Sequence, residues 1–289
     1  MVIQAGYGAM TPGKDLEKLE IDLLLEGIRR RYGYDFTHYS YASLKRRLTQ
    51  ARDQAQLTRY TEMLDSLYHD ESFFDQFLKH MSVPFTEMFR DPPFYQAIRE
   101  QVIPILKTFP FVKIWHTGCA TGEEVYSMAI WLHEENFLDR VRIYATDFNN
   151  HALDAAEKAV YPVKNIETYA ANYRDAGGKR EFSEYFSVGY DLMKIKDFLK
   201  NKITFSYHNL VTDDVFGEMN LVCCRNVLIY FDRTLQDRVL RLFTDSLRHG
   251  GFLCLGNKET LNFTSVKSLF EPVESRQRIY KKQGEIMHV

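Results

Sequence analysis

Residues 115–130, WHTGCATGEEVYSMAI, carry the types and spacing that could bind a charged ligand. A strand-like run enters Gly118, a turn follows, and a helical pattern opens near Gly122. Glycines allow positive φ and close approach of the backbone to a ligand. The spacing is G-x-x-x-G, not the G-x-G-x-x-G of dinucleotide sites, and Glu123 and Glu124 stand where a pyrophosphate would dock. Two carboxylates at a helix N-terminus repel phosphate and favour a cation. Asp147 ends a second strand-like run, the place from which an acid grips a ribose diol. A base, a ribose and a sulfonium or amino group together satisfy both features, which points to S-adenosylmethionine. The bland alternative makes the glutamates first-turn helix stabilisers and Asp147 an N-cap; placement on successive strand ends favours the ligand.

The elements that must position these residues form two stretches. Residues 14–80 read as helices, with an apolar stripe at Leu44, Leu48, Ala51 and Ala55 and with Gly27 closing an earlier apolar run. Beyond Pro92 and Pro93, strands at 111–116, 141–146, 202–208, 221–224 and 252–256 alternate with helices at 122–135 and 232–248, and 276–282 could close the sheet. That alternation predicts an α/β fold with a doubly wound, mostly parallel sheet. Residues 161–200 break the rhythm; their aromatic residues predict a packed subdomain rather than a loop. The expected division is an all-helical domain at 14–82, a linker and cofactor-reaching segment at 83–110, and the sheet domain at 111–282 with 161–200 inserted.

The 289 residues carry 37 basic and 39 acidic side chains, a balance that gives no global attraction to nucleic acid or lipid. Yet from Arg29 to Arg59 eight basic residues face two acidic ones, a local charge of +6. No apolar run exceeds five residues, far short of the roughly 18 needed to cross a bilayer, and residues 1–10 lack the pattern of a secretion signal. Cys119, Cys223, Cys224 and Cys254 contain no C-x-x-C pair and read as buried thiols of a cytoplasmic, metal-free protein.

The chain resembles the chemotaxis receptor methyltransferase (CheR) family. The likeness runs over residues 20–282 and rests on FTEMFRDPPFY (85–95), GCATGEEVYSMAI (118–130), ATDFNNHALDAAEKAVY (145–161), Asn209-Leu210 and CRNVLIYFD (224–232). It implies an N-terminal helical domain, a Rossmann-like methyltransferase domain with a small β-subdomain, and methylation of receptor glutamates with S-adenosylmethionine as donor and S-adenosylhomocysteine as product. Motif by motif, it implies cofactor contacts from Thr86, Arg90, Gly118, Glu124, Asp147, Asn209, Leu210, Asn226 and Val227, with Arg90 and Tyr230 at the methyl-transfer site. Pro84 stands where many members have asparagine, which implies a cofactor hydrogen bond that is either missing or supplied by backbone, and hence a weaker affinity. The implied partner is the acidic helical region of a chemoreceptor or receptor-like protein, met by Lys45, Arg46 and Arg52 of the basic segment unless that segment is only a solvated charged face, with the enzyme acting as a monomer, without nucleic acid or membrane insertion. Gly189 stands alone in the likely hairpin of the insertion, with no glycine cluster there, so tethering of a receptor tail is not expected.

Methyl transfer to a glutamate, already ionised at neutral pH, requires no general base. It requires alignment at about 3–3.5 Å in a dry site. Arg90 could orient a carboxylate through paired hydrogen bonds, or form a structural ion pair. Tyr230 could donate to the substrate oxygen or lie on the sulfonium face, or be a core aromatic. Rival readings are a cofactor-binding module without turnover, a small-molecule carboxyl methyltransferase, and, from DPPF at 91–94, a base-methylating enzyme. In that last class the motif follows a strand; here it precedes a helix.

Overall fold

The computed structural model describes residues 14–81 and 86–283. Two compact units divide after Met81; Pro84 lies outside the described residues.

The first unit is four helices: α1 (Lys14–Tyr32), α2 (Tyr41–Gln54), α3 (Tyr60–His69) and α4 (Glu71–Met81). Leu44, Leu48 and Ala51 of α2 are buried as the stripe requires, and Ala55 is the C-cap residue. Gly27 does not end α1, which runs five residues further. Its role is close approach: a Cβ there would stand 2.5 Å from Leu64 Cδ1 and 2.7 Å from the Tyr68 hydroxyl.

In the second unit α5 (Pro92–Ala97) passes through a π-helical turn (Ile98–Val102) into α6 (Ile103–Leu106). Met88, Phe89, Phe94 and Tyr95 are fully buried in the same core as the sheet. Then come β1 (Val112–Thr117), α7 (Glu123–Glu134), β2 (Val141–Asp147) and α8 (Asn150–Lys158). The insertion holds β3 (Val160–Pro162), α9 (Ile166–Asp175), β4 (Phe186–Val188), β5 (Leu192–Ile195) and α10 (Asp197–Lys200); its strands form an antiparallel sheet in the order β3-β5-β4. The main sheet resumes with β6 (Ile203–Tyr207), β7 (Met219–Cys224), α11 (Arg233–Ser246), β8 (Leu247–Leu255), β9 (Phe270–Glu274) and β10 (Ile279–Lys282).

Its order is β6-β2-β1-β7-β8-β10-β9, parallel except for β10. All six residues of β7 are buried, as a central parallel strand covered on both faces demands. The chain builds outward from β1 through β2 to β6, then restarts on the other side with β7. The switch point, where such sheets bind ligands, therefore lies between β1 and β7. Two elements differ from expectation. β9 reads FEPVE, too polar and proline-broken to signal a strand, and is an edge strand, where proline is tolerated. β8 begins at Leu247, inside the expected helix, because its irregular pairing with β7 near Met219 accommodates a start ahead of Gly250 and Gly251.

Candidate cofactor and methyl-transfer site

The turn after β1 is held by hydrogen bonds to the end of β2. Cys119 N donates to Thr146 O at 3.0 Å, and Ala120 N to Asp147 Oδ2 at 2.9 Å. Asp147 Oδ1 accepts from Asn149 N at 2.9 Å. Burial pushes the Asp147 carboxyl up against these backbone donors. With the backbone of Phe148 as a third donor, part of a carboxylate's capacity of about four acceptor positions is still open to a ribose hydroxyl. Gly118 has φ +62, and a Cβ on it would meet Val227 Cγ2 at 2.6 Å. Only glycine lets the β1 turn and the turn after β7 approach this closely.

The two glutamates behind that turn part company. Glu124 Oε2 accepts from Arg225 Nη1 at 2.9 Å, and its Oε1 lies 3.1 Å from His116 Nδ1. Arg225 also reaches Asp91 Oδ2 at 2.7 Å and lies 4.0 Å from the centre of the Phe94 ring. Its side chain is 1% exposed, so this is a buried ion-pair network, not a surface bridge. Burial works against the charge on Glu124, but Arg225 and then His116 outweigh it and hold the carboxyl below its ordinary value. Glu123 faces the insertion: Thr121 Oγ1 donates to it at 2.7 Å and the Tyr169 hydroxyl at 3.4 Å. Burial pushes Glu123 up to about 7.

Four of the other expected residues, Asn209, Leu210, Asn226 and Val227, follow strands β6 and β7 of the same sheet. Asn209 and Leu210 follow β6 and are buried; Asn209 N donates to Asp213 Oδ2 at 2.9 Å, while its Oδ1 accepts from Val211 N at 3.0 Å. After β7, Asn226 adopts φ +63, and the buried Glu259 accepts from Asn226 N at 3.1 Å and Val227 N at 2.8 Å. Tyr230 ends the 3-10 turn Leu228–Tyr230 just beyond and is half-buried. Thr86 and Arg90, also half-buried, precede α5; Arg90 O accepts from Arg225 Nη2 at 3.5 Å. Phe89 and Asp91 on either side of Arg90 have φ +53 and +60. With Ala120 and Asn226 they make four of nine non-glycine residues of positive φ among the described residues, and such strain gathers at functional sites.

Lys45, Arg46 and Arg52 lie on α2 in the first unit. Lys45 pairs with Glu17 at 2.6 Å; Arg52 pairs with Asp53 at 2.7 Å and lies over the Tyr60 ring. Arg46 is exposed. Much of the +6 count is neutralised from outside its window, since Arg29 and Arg30 share Glu26 and Arg59 meets Glu62. Arg47 is buried and bonds Met81 O.

Sequence reasoning missed Arg225, Glu259 and His116. Arg225 stood within the quoted CRNV run; Glu259 and His116 offer no local signal, since their roles come from strand ends meeting in space. All four cysteines are free and buried, no cluster able to hold a metal occurs among the described residues, and no described helix is long and apolar enough to cross a membrane.

Asp91 and Glu124 pair with one buried guanidinium, and the carboxylates of Asp147 and Glu259 hold the neighbouring turns; four acids against that one Arg225 make the edge electronegative, which suits a cationic nucleoside, and the Gly118 cradle admits its close approach. Known proteins agree. Residues 84–279 match the family described as CheR methyltransferase, SAM binding domain, and 19–82 its all-alpha domain. A Pseudomonas putida protein named "Putative methyltransferase Cher3" is 47% identical over 264 residues, covering 91% of this chain and 97% of its own. Chemotaxis protein methyltransferases of Listeria innocua (28%; 81% of this chain, 87% of theirs) and Salmonella typhimurium (27%; 72% and 70%) are also similar. With both its units matched, the chain belongs to the CheR methyltransferase family, and the sheet unit is its S-adenosylmethionine-binding domain.

Proposed function

We propose that the protein methylates glutamate carboxylates on the helical cytoplasmic region of a chemoreceptor or receptor-like signalling protein. The observation that carries this reading is the strained segment around Arg90, whose backbone is tied through Arg225 to Glu124 and to the end of β7, so that the residue is held beside the cofactor edge. Relatives named as chemotaxis protein methyltransferases support a substrate in chemotaxis signalling.

S-adenosylmethionine, bound along the β1, β2, β6 and β7 ends, supplies an electrophilic methyl and retains the C–S electron pair as thioether. The residues do the rest by position. Asp147 takes the ribose hydroxyls, Asn209 and Leu210 flank the base, and Thr86, Glu124, Asn226 and Val227 hold the amino-acid end. Arg90 draws the incoming carboxylate into line, and Tyr230 donates a hydrogen bond to its non-attacking oxygen. A carboxylate and a sulfonium annihilate their charges as the O–C bond forms, so excluding water lowers the barrier. Arg46 and the exposed parts of Lys45 and Arg52 meet the acidic partner, speeding the encounter.

The test is incubation with methyl-labelled S-adenosylmethionine and membranes from the protein's own source, followed by mild base. A receptor-sized band that releases volatile methanol establishes glutamyl esters. Label that resists base, or appears only in small molecules, overturns this reading; binding without any label makes the protein a cofactor-binding module.

A further inference from the structure

We infer that the loop between β8 and β9 is a docking finger for the polypeptide substrate, with Phe263 as the side chain that seats it; this rests on the carboxyl-methylation reading above. Phe263 has φ +64 and is 95% exposed. Left-handed backbone disfavours a residue with a bulky side chain, and an exposed ring returns nothing to the fold. The conformation nevertheless sits in a loop fastened at both ends. Glu259 accepts from Gly256 N at 2.5 Å as well as from Asn226 and Val227. At the far end Ser265 N and Oγ donate to Asp237 at 2.7 and 2.9 Å, and Arg241 Nε donates to Ser265 Oγ at 2.9 Å. Leu261 and Val266 are buried on either side, and Thr264 Oγ1 closes a turn onto Leu261 O at 2.7 Å. The loop is thus anchored while one ring is turned outward at conformational cost, a pattern that points to use by a partner.

Its position and charge name that partner. Phe263 follows Glu259 by four residues, at most about 13 Å of extended chain, and Glu259 itself holds the cofactor turn at Asn226 and Val227. Between Asn257 and Leu269 the only acid is the buried Glu259, whereas Lys258 and Lys267 are exposed. A positive rim with a projecting aromatic fits an acidic polypeptide that offers an apolar side chain beside the accepting carboxylate. A small-molecule acid would gain nothing from a ring so far out.

Phe263→Gly is the informative variant, because glycine adopts φ +64 freely and removes the ring. The expected result is an unchanged or higher Tm, an unchanged calorimetric Kd for S-adenosylmethionine, and base-labile labelling of source membranes slowed at least tenfold, with Phe263→Tyr close to wild type. Labelling by the glycine variant at the wild-type rate overturns the docking role and leaves the carboxyl-methylation reading standing. A fall in Tm or in cofactor affinity makes the ring structural and also overturns it. If wild-type protein forms a dimer that the variant loses, the ring seats a second copy and the inference is wrong. Absence of base-labile label with wild-type protein removes both proposals together.

Discussion

At the scale of single residues, Arg225 has the largest energetic reach. It is buried between Glu124 and Asp91 and stacked on Phe94. Removing one member of a buried ion pair leaves the other uncompensated, typically at a cost of about 3–5 kcal/mol. Arg225→Met should therefore lower unfolding free energy by about that amount and weaken S-adenosylmethionine at least tenfold; urea denaturation and calorimetry check the two effects separately. Gly118→Ala tests the cradle, since the added methyl meets both an unfavourable φ and Val227. Cofactor binding should be lost, and adding Val227→Ala should restore it only in part, because the clash is relieved and the backbone strain is not. Glu123 supplies a pH signature. Its carboxyl, raised by burial from 4.5 to about 7, holds a proton more tightly folded than unfolded. That contribution is fully present below about pH 4.5 and is lost as pH rises through about 7, so stability falls with pH. Glu123→Gln should flatten this slope, with a difference from wild type of up to about 3 kcal/mol between pH 4.5 and 8 in urea titrations.

At the scale of elements, the insertion braces the segment that carries Arg90. Asn172 of α9 donates to Met88 O at 3.1 Å and to Glu87 at 3.3 Å, Gln96 reaches Asp175 O at 2.7 Å, and the Tyr173 ring lies edge-on to Phe89 at 5.2 Å. Asn172→Ala should cost about 1 kcal/mol of stability, as for a partly exposed hydrogen bond, while raising the KM for S-adenosylmethionine several-fold. Steady-state kinetics beside a melting curve distinguish that bracing from general loosening. The same elements show what a sequence discloses. β1, α7, β2 and β7 were legible because periodicity and turn chemistry are local, and Gly118 and Asp147 followed from where those elements end. The role of Gly27 was not legible because the Leu64 and Tyr68 side chains that require it come from another helix. β9 was invisible because its pairing with β10, not its own composition, makes it a strand. Arg225 and Glu259 were hidden for a related reason: they act on residues tens of positions away. The +6 count is smaller on the surface than in the sequence because a window from Arg29 to Arg59 leaves out Glu26 and Glu62, just beyond its ends, and Glu17, which the fold brings to Lys45.

At the scale of the whole molecule, chemistry and charge are divided between two units: the cofactor edge belongs to the second, and the exposed guanidinium of Arg46 to the first. Rate with the protein substrate should therefore fall with ionic strength faster than cofactor affinity does. Arg46→Glu should lower kcat/KM for receptor membranes several-fold with the calorimetric Kd for S-adenosylmethionine unchanged. Charge reversal at Lys45 or Arg52 is a poorer probe, since each would also break an internal pair. The strand order carries a further consequence, for synthesis. β10 follows β9 in the chain yet lies between β8 and β9, with Ile279 wholly buried. A nascent chain that has emerged only as far as Glu274 has one flank of β8 open and β9 without its neighbour. Such stalled chains should be cut readily by protease in the β8–β9 region, and resistance should arrive abruptly once Lys282 clears the ribosome, which makes β10 a checkpoint between translation and a closed sheet.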